Sequence, residues 1–162
     1  MQLAQVNIAE LLHPPGDPRV AAFVDNVALI NGLAERADGF VWRLQDKGEV
    51  EAIFDNPLMT ATLSIWQSPE HLERFVWKTV HKKFYGRRAE WFSHLKSHYL
   101  AMWFVEDGER PTLQEGKARL DHLDEHGSTD YAFDWPYLKS SEMWKSYRLE
   151  SQLERMPAEG NA

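Results

Sequence analysis

One mixed α+β domain built on an antiparallel sheet is what this sequence predicts, and three observations predict it. The 162-residue chain is 43% hydrophobic and 27% charged, an ordinary globular balance, and is long enough to bury roughly 70% of its unfolded surface in one core. Segments that alternate in polarity are interleaved with segments whose apolar residues recur every three to four positions. Helix-start and helix-stop residues stand at most of these changes of period.

Residues 2–8 (QLAQVNI) alternate and form the first strand. The loop HPPGDP leads to Asp17-Pro18, a helix start with Asp at the N-cap and Pro at the first helical position. Val20, Phe23, Val24, Val27, Ile30 and Leu33 then make a helical stripe that ends at Asp38-Gly39. FVWRLQ (40–45) is a second strand, DKGEVEAIFDNP (46–57) a connector, and LMTATLSIW (58–66), rich in β-formers, a third strand. Ser68-Pro69-Glu70 starts a second helix that continues as far as Leu95, with Gly86 as its weak point. YLAMWFVE (99–106) is the fourth strand, closed by Asp107-Gly108. Thr112 and Glu115 form a capping box for LQEGKARLDHLDEH, which Gly127 stops. After Phe133 the pattern fades into a short helix or a frayed tail.

The order β-α-β-β-α-β is the split βαβ, ferredoxin-like plan, with an extra C-terminal helix and tail. The chain divides into a domain over residues 1–134 and an extension over 135–162, partly helical and then disordered. Strand four is apolar on both sides, with Tyr99, Ala101, Trp103 and Val105 against Leu100, Met102 and Phe104. A sheet apolar on two faces needs two covers, and one set of helices supplies one. The expected second cover is another copy, in a face-to-face homodimer.

Zero cysteines exclude a disulfide scaffold, thiolate metal sites and a cysteine nucleophile. No apolar run reaches the roughly 20 residues of a membrane span, and the N-terminus lacks a basic signal region, so a cytoplasmic protein with no membrane partner is expected. A net charge of −7 argues against nucleic-acid binding. Residues 106–130 hold eight acids and three bases, whereas 81–96 hold five bases and one acid. Each run reads either as a solvated helix face or, for the basic one, as an anion-tolerant mouth.

Counting about 100° per residue from Trp77, the residues Trp77, His81, Phe84, Arg88, Trp91 and Leu95 fall within one arc. A histidine and an arginine among rings either pair within the core or line a wet pocket. Gln5 and Asn7 share one side of strand one, which makes either a polar floor or a solvated edge. Trp42 and Arg43 on strand two, Trp66 on strand three and Trp103 on strand four add rings and a guanidinium. Asp121, His122, Asp124, Glu125 and His126 crowd into two turns as a charged helix face rather than a metal site. A strand is expected to begin between His94 and His98, which spoils their chelating spacing. No phosphate loop, dinucleotide fingerprint or serine elbow occurs, and no metal site is expected.

The segments LAQVNIA, GFVWRLQ, LSIWQSPEHLERFVW, H-x-x-F-x-x-x-R-x-x-WF (His81, Phe84, Arg88, Trp91, Phe92), MWFVEDGERPTLQEGKARLDHL and HGSTDYAF together resemble a family of unknown function. It belongs to the dimeric α+β barrel superfamily, near the antibiotic biosynthesis monooxygenases. The resemblance covers residues 2 to 134. It implies a ferredoxin-like protomer that pairs with a second copy, and a ligand pocket between sheet and helices. Some superfamily members are cofactor-independent monooxygenases of polyketide-like aromatics, and others bind or degrade haem. The haem-degrading members use an Asn on strand one with a Trp and a His on the second helix. Asn7 and His81 match two of these roles. Trp77 stands closer to His81 than that spacing, with Phe75 as the alternative, which points away from haem degradation.

Three functions follow as expectations. The first is a cofactor-free monooxygenase-type enzyme acting on a small polyketide- or quinol-like aromatic. His81 would be its base, Arg88 and Asn7 would stabilise developing oxygen charge, and Gln5, Trp42, Trp66, Trp77, Phe84, Trp91 and Trp103 would line the pocket. The second is haem binding through His81, with Lys82, Lys83, Arg87 or Arg88 on the propionates. The third is a non-catalytic homodimer that binds a small molecule.

Overall fold

The structure is a computed structural model and describes residues 1–78 and 86–140. Strands β1 (Gln2–Glu10), β2 (Phe40–Arg43), β3 (Met59–Trp66) and β4 (Leu100–Val105) form one antiparallel sheet in the order β2-β3-β1-β4. That order, with the longest strand, β1, inside, is the ferredoxin-like plan. All four strands fall where the sequence predicts them.

The first helix is not continuous. A 3-10 turn, Pro18–Val20, leads into α1 (Ala21–Val24), and the chain breaks before α2 (Val27–Glu35). Asp17 caps this start by accepting from the Arg19 N–H at 2.9 Å. The break falls at Asn26, whose side-chain amide donates to the Ala22 carbonyl at 2.7 Å. A short polar side chain competing for backbone partners in this way ends a helix that apolar spacing alone would continue. The connector 46–57 is also partly helical, as α3 (Glu49–Phe54). Asp46 Oδ1 accepts from the Gly48 and Glu49 N–H groups at 2.9 Å each and starts it.

Helix α4 (Pro69–Lys78) begins at the predicted Ser-Pro-Glu. The expected continuation to Leu95 is not observed: α5 (Arg88–Trp91) is a separate single turn, and Phe92 is extended. His94 and His98 both precede β4, so no strand begins between them. Helix α6 (Leu113–His126) is capped as predicted by Thr112, whose hydroxyl accepts from the Glu115 N–H, and it ends at Gly127 with φ 73°. The reciprocal half of the capping box is replaced, because the Glu115 carboxylate pairs with Arg119 at 2.8 Å. A last helix, α7 (Trp135–Ser140), follows, with Leu138 buried. Residues 141–162 of the extension lie outside the described residues.

Both faces of the sheet are covered within the chain. Ala4, Val6, Ile8, Leu63, Ile65, Ala101, Trp103 and Val105 pack beneath Val50 of α3 and Leu113, Leu120 and Leu123 of α6. Gly116 lets α6 approach closely, since a Cβ there would lie 3.1 Å from a Val6 methyl. Leu3, Trp66 and Met102 on the other face pack with Leu72 and Phe75 of α4, Leu33 and Ala34 of α2, and Leu138 of α7. The premise that one chain covers one face is therefore corrected. The connector helix α3 and α6 supply the second layer, so the second face is not bare as the argument for a face-to-face homodimer required.

Candidate functional site

Register partners in an antiparallel ladder point to the same side of the sheet, so the α2/α4 face is laid out in rows. The first row is Phe40, Trp66, Leu3 and Phe104. The second is Arg43, Ser64, Gln5 and Met102, and the third is Thr62, Asn7 and Leu100. Polarity is graded along β1, from aromatic to amide and hydroxyl.

The first row is packed shut. Phe40 meets Trp66 edge-on at 5.5 Å between centroids, and Phe75 of α4 stacks on Trp66 at 5.1 Å. The second row is buried yet polar. Gln5 Nε2 donates to Ser64 Oγ at 2.8 Å, and the Trp66 indole N–H donates to the same oxygen at 3.0 Å. Arg43 closes this row, with its Nε donating to Glu35 Oε1 of α2 at 2.6 Å. In the third row Asn7 is half-buried and Thr62 exposed. The face thus turns from a closed aromatic end into an accessible floor of neutral hydrogen-bonding groups.

Helices α1 and α2 pack on two different apolar clusters. Leu33 and Ala34 pack at the Trp66 end, while Phe23 and Val24 pack on a third cluster, Leu11, Val20 and Trp91, beyond the other end of β1. Val27 and Ile30, between them, belong to none of the three clusters, and α2 buries no residue. An apolar helix of this kind ordinarily buries one stripe. Here none of its residues is buried, and on the sheet Asn7 stays half-buried and Thr62 exposed.

The structure brings together Gln5, Asn7 and Trp66 among the expected site residues and separates the others. Trp42 lies on the opposite face, opposite Ile65, because a bulge between Phe40 and Trp42 shifts the alternation and puts Arg43 on the site face instead. Trp103, opposite Ala4, also faces the α6 layer, where Arg119 lies 5.0 Å from its ring centroid. The arc from Trp77 to Leu95 is not assembled, since a constant angle per residue requires unbroken helix. Trp77 is 54% exposed beside Glu70, Glu73 and Arg74, around a depression of about 390 Å³. Trp91 is 1% exposed within the third cluster. Arg88 is exposed on α5, and Leu95 packs toward the α6 face. His81 and Phe84 lie outside the described residues.

Sequence reasoning missed the partners of the amides. Ser64 and Thr62 alternate with apolar residues on strand three, and antiparallel pairing with Gln5 and Asn7 was the signal that would have found them. Glu35 carried no such signal. The acidic run on α6 is a paired surface: Asp121 binds Lys117 and Asp124 binds His98, each at 2.7 Å, and His122 bonds Thr129 at 2.8 Å.

Of the residues expected to hold haem, Arg87 and Arg88 lie among the described residues. Arg87 is held by Glu90 at 2.8 Å and lies 4.8 Å from the Trp91 ring centroid, and Arg43 is neutralised by Glu35. His81, Lys82 and Lys83 lie outside the described residues.

The topology and this face define a ferredoxin-like α+β domain with one polar, partly open sheet face. The family described as "Domain of unknown function (DUF3291)" matches residues 2–149, and the chain belongs to that family. No curated protein matches the sequence. Two solved structures are similar. One is SnoaB, a cofactor-independent oxygenase from Streptomyces nogalater, with TM-score 0.46 and 13% identity over 65% of this chain and 94% of that one. The other is NE2512, a protein of unknown function from Nitrosomonas europaea, with TM-score 0.49 and 15% identity over 68% and 95%. Among the described residues no helix is long and apolar enough to cross a membrane.

Proposed function

We propose that this chain binds a small, flat, uncharged aromatic molecule bearing hydroxyl or carbonyl oxygens, on the α2/α4 face of its sheet, and oxidises it with molecular oxygen without a resident cofactor. The observation that carries the reading is the graded floor. A ring would lie at the open end of the face beside the half-buried Leu100, its oxygens meeting Asn7 and Thr62 next to the buried Gln5–Ser64 pair. Neutral donors already fixed by the sheet stabilise oxygen charge where it develops, at no cost of reorganisation. Oxygenase chemistry comes from the resemblance to the monooxygenase group: a deprotonated phenol would take up O2 at a ring carbon as a hydroperoxide, which loses water to leave one oxygen as a quinone carbonyl, the substrate supplying all four electrons. His81, which lies outside the described residues, is the base or hydrogen-bond partner of this reading.

One observation favours binding without turnover: the second and third rows contain no Asp, Glu, His or Lys. Oxygen uptake by metal-free protein with a panel of quinols and naphthols separates the two. The oxygenase reading expects substrate-dependent uptake that falls about 100-fold in Asn7→Ala, the cost of one oxyanion donor. Saturable binding with no uptake across the panel leaves the binding role alone, and no binding removes both.

A further inference from the structure

Arg43 is the one cation in the polar rows, and its position is odd for a site whose other groups are neutral. The bulge in β2 turns it onto the site face, next to Ser64 and one strand from Gln5. Glu35, at the last residue of α2, reaches Arg43 Nε at 2.6 Å, and Arg43 Nη1 donates to its neighbour, the Leu44 carbonyl, at 3.4 Å. The Arg43 side chain is only a quarter exposed, whereas that of Glu35 is nearly half exposed. The more accessible partner is thus the acid, on the helix that flanks the floor.

We infer that Glu35 sets the charge selectivity of this site by occupying Arg43. An arginine beside a partly buried floor attracts carboxylates and pairs with them bidentately. With Glu35 in place, that capacity is filled by the chain itself. A carboxylate ligand entering the floor is disfavoured twice, by the hydration it loses and by finding the guanidinium already paired. A neutral phenol or ketone meets neither penalty. Specificity for uncharged aromatics then comes from one residue of α2 acting on one residue of β2. The ion pair also ties the end of α2 to the sheet, so an anion that displaced Glu35 would loosen the helix beside the site.

This inference rests on the ligand reading above, and a matched pair of probes keeps their failures apart. A naphthol and the corresponding naphthoate are titrated calorimetrically at neutral pH into the full chain and into Glu35→Gln, whose fold is checked by circular dichroism. The wild type is expected to bind the naphthol and to bind the naphthoate much more weakly. Glu35→Gln is expected to gain about tenfold in naphthoate affinity, the worth of a charge-assisted hydrogen bond, with naphthol affinity unchanged. Adding Arg43→Gln to Glu35→Gln is expected to remove that gain. If the naphthol binds but Glu35→Gln leaves naphthoate affinity where it was, or the double variant keeps the gain, the selectivity role is wrong and the ligand reading stands. If neither probe binds either protein, the ligand reading falls and this inference falls with it.

Discussion

The side-chain amide of Gln5 donates to the hydroxyl of Ser64 at 2.8 Å across the β1–β3 ladder, and both residues are buried. The Trp66 indole uses the same oxygen. One hydroxyl therefore satisfies two donors from two directions, and it fixes the boundary between the closed aromatic row and the open polar one.

Removing that acceptor has a predictable cost. Ser64→Ala leaves two buried N–H groups without the oxygen they share, and each orphaned donor costs about 1–3 kcal/mol. Urea unfolding is expected to show a lower midpoint with an unchanged slope. An unaltered midpoint would mean that solvent already satisfies these donors.

Gly39 is required by its neighbour. Its φ is 79°, and a Cβ there would come within 2.1–2.5 Å of the His71 side chain. That ring is hydrogen-bonded to Ser68 Oγ at 2.6 Å and cannot retreat without breaking the start of α4. Gly39→Ala is expected to destabilise by at least about 1–3 kcal/mol from backbone strain alone. Adding His71→Ala is expected to recover the steric part of the loss, read as a partial return of the melting temperature.

The two tryptophans of the expected helical arc should behave differently. Trp91 is buried against Phe23, 5.9 Å between ring centroids, so Trp91→Ala is expected to cost about 3–5 kcal/mol. Trp77 is largely exposed, and Trp77→Ala is expected to stay within about 0.5 kcal/mol. Equal losses would restore the single continuous stripe that the structure does not contain.

Tyr137 provides an alkaline marker for the docking of α7. Its hydroxyl donates to Asp130 Oδ1 at 2.8 Å, and this bond, with desolvation and the carboxylate charge adding to it, raises its pKa above the usual 10.0. A raised folded-state value means that the contribution is complete below the unfolded pKa and is lost as pH rises through the folded one. In an ultraviolet titration Tyr137 is expected to ionise above the usual tyrosine value, and Asp130→Asn to lower it. A profile unchanged by Asp130→Asn would mean that this bond does not form in solution.

Strand β1 was legible by its period of two, β2, β3 and β4 by their β-forming and aromatic residues between turn signals, and α6 because its cap and stop are both written in residue type. Asn26 was not legible as a break, since its effect depends on one side-chain bond to Ala22. Helix α3 is six residues long, too short for a period to declare itself. The site was half legible. Gln5 and Asn7 share a face by parity alone. Assigning Trp42 required the bulge, which reverses the face of every residue after it. Assigning Trp103 required knowing that each sheet face has its own helical layer. Aromatic type selected both residues, and type does not record direction.

The indole N–H signals of the 7 tryptophans, followed by ¹H–¹⁵N NMR during a naphthol titration, test the central claim most directly. The account predicts that Trp66 and the side-chain amides of Gln5 and Asn7 shift together and saturate, while Trp42 and Trp103 stay in place. Movement of Trp42 or Trp103 with Trp66 unmoved would put the ligand on the α6 side of the sheet and contradict it.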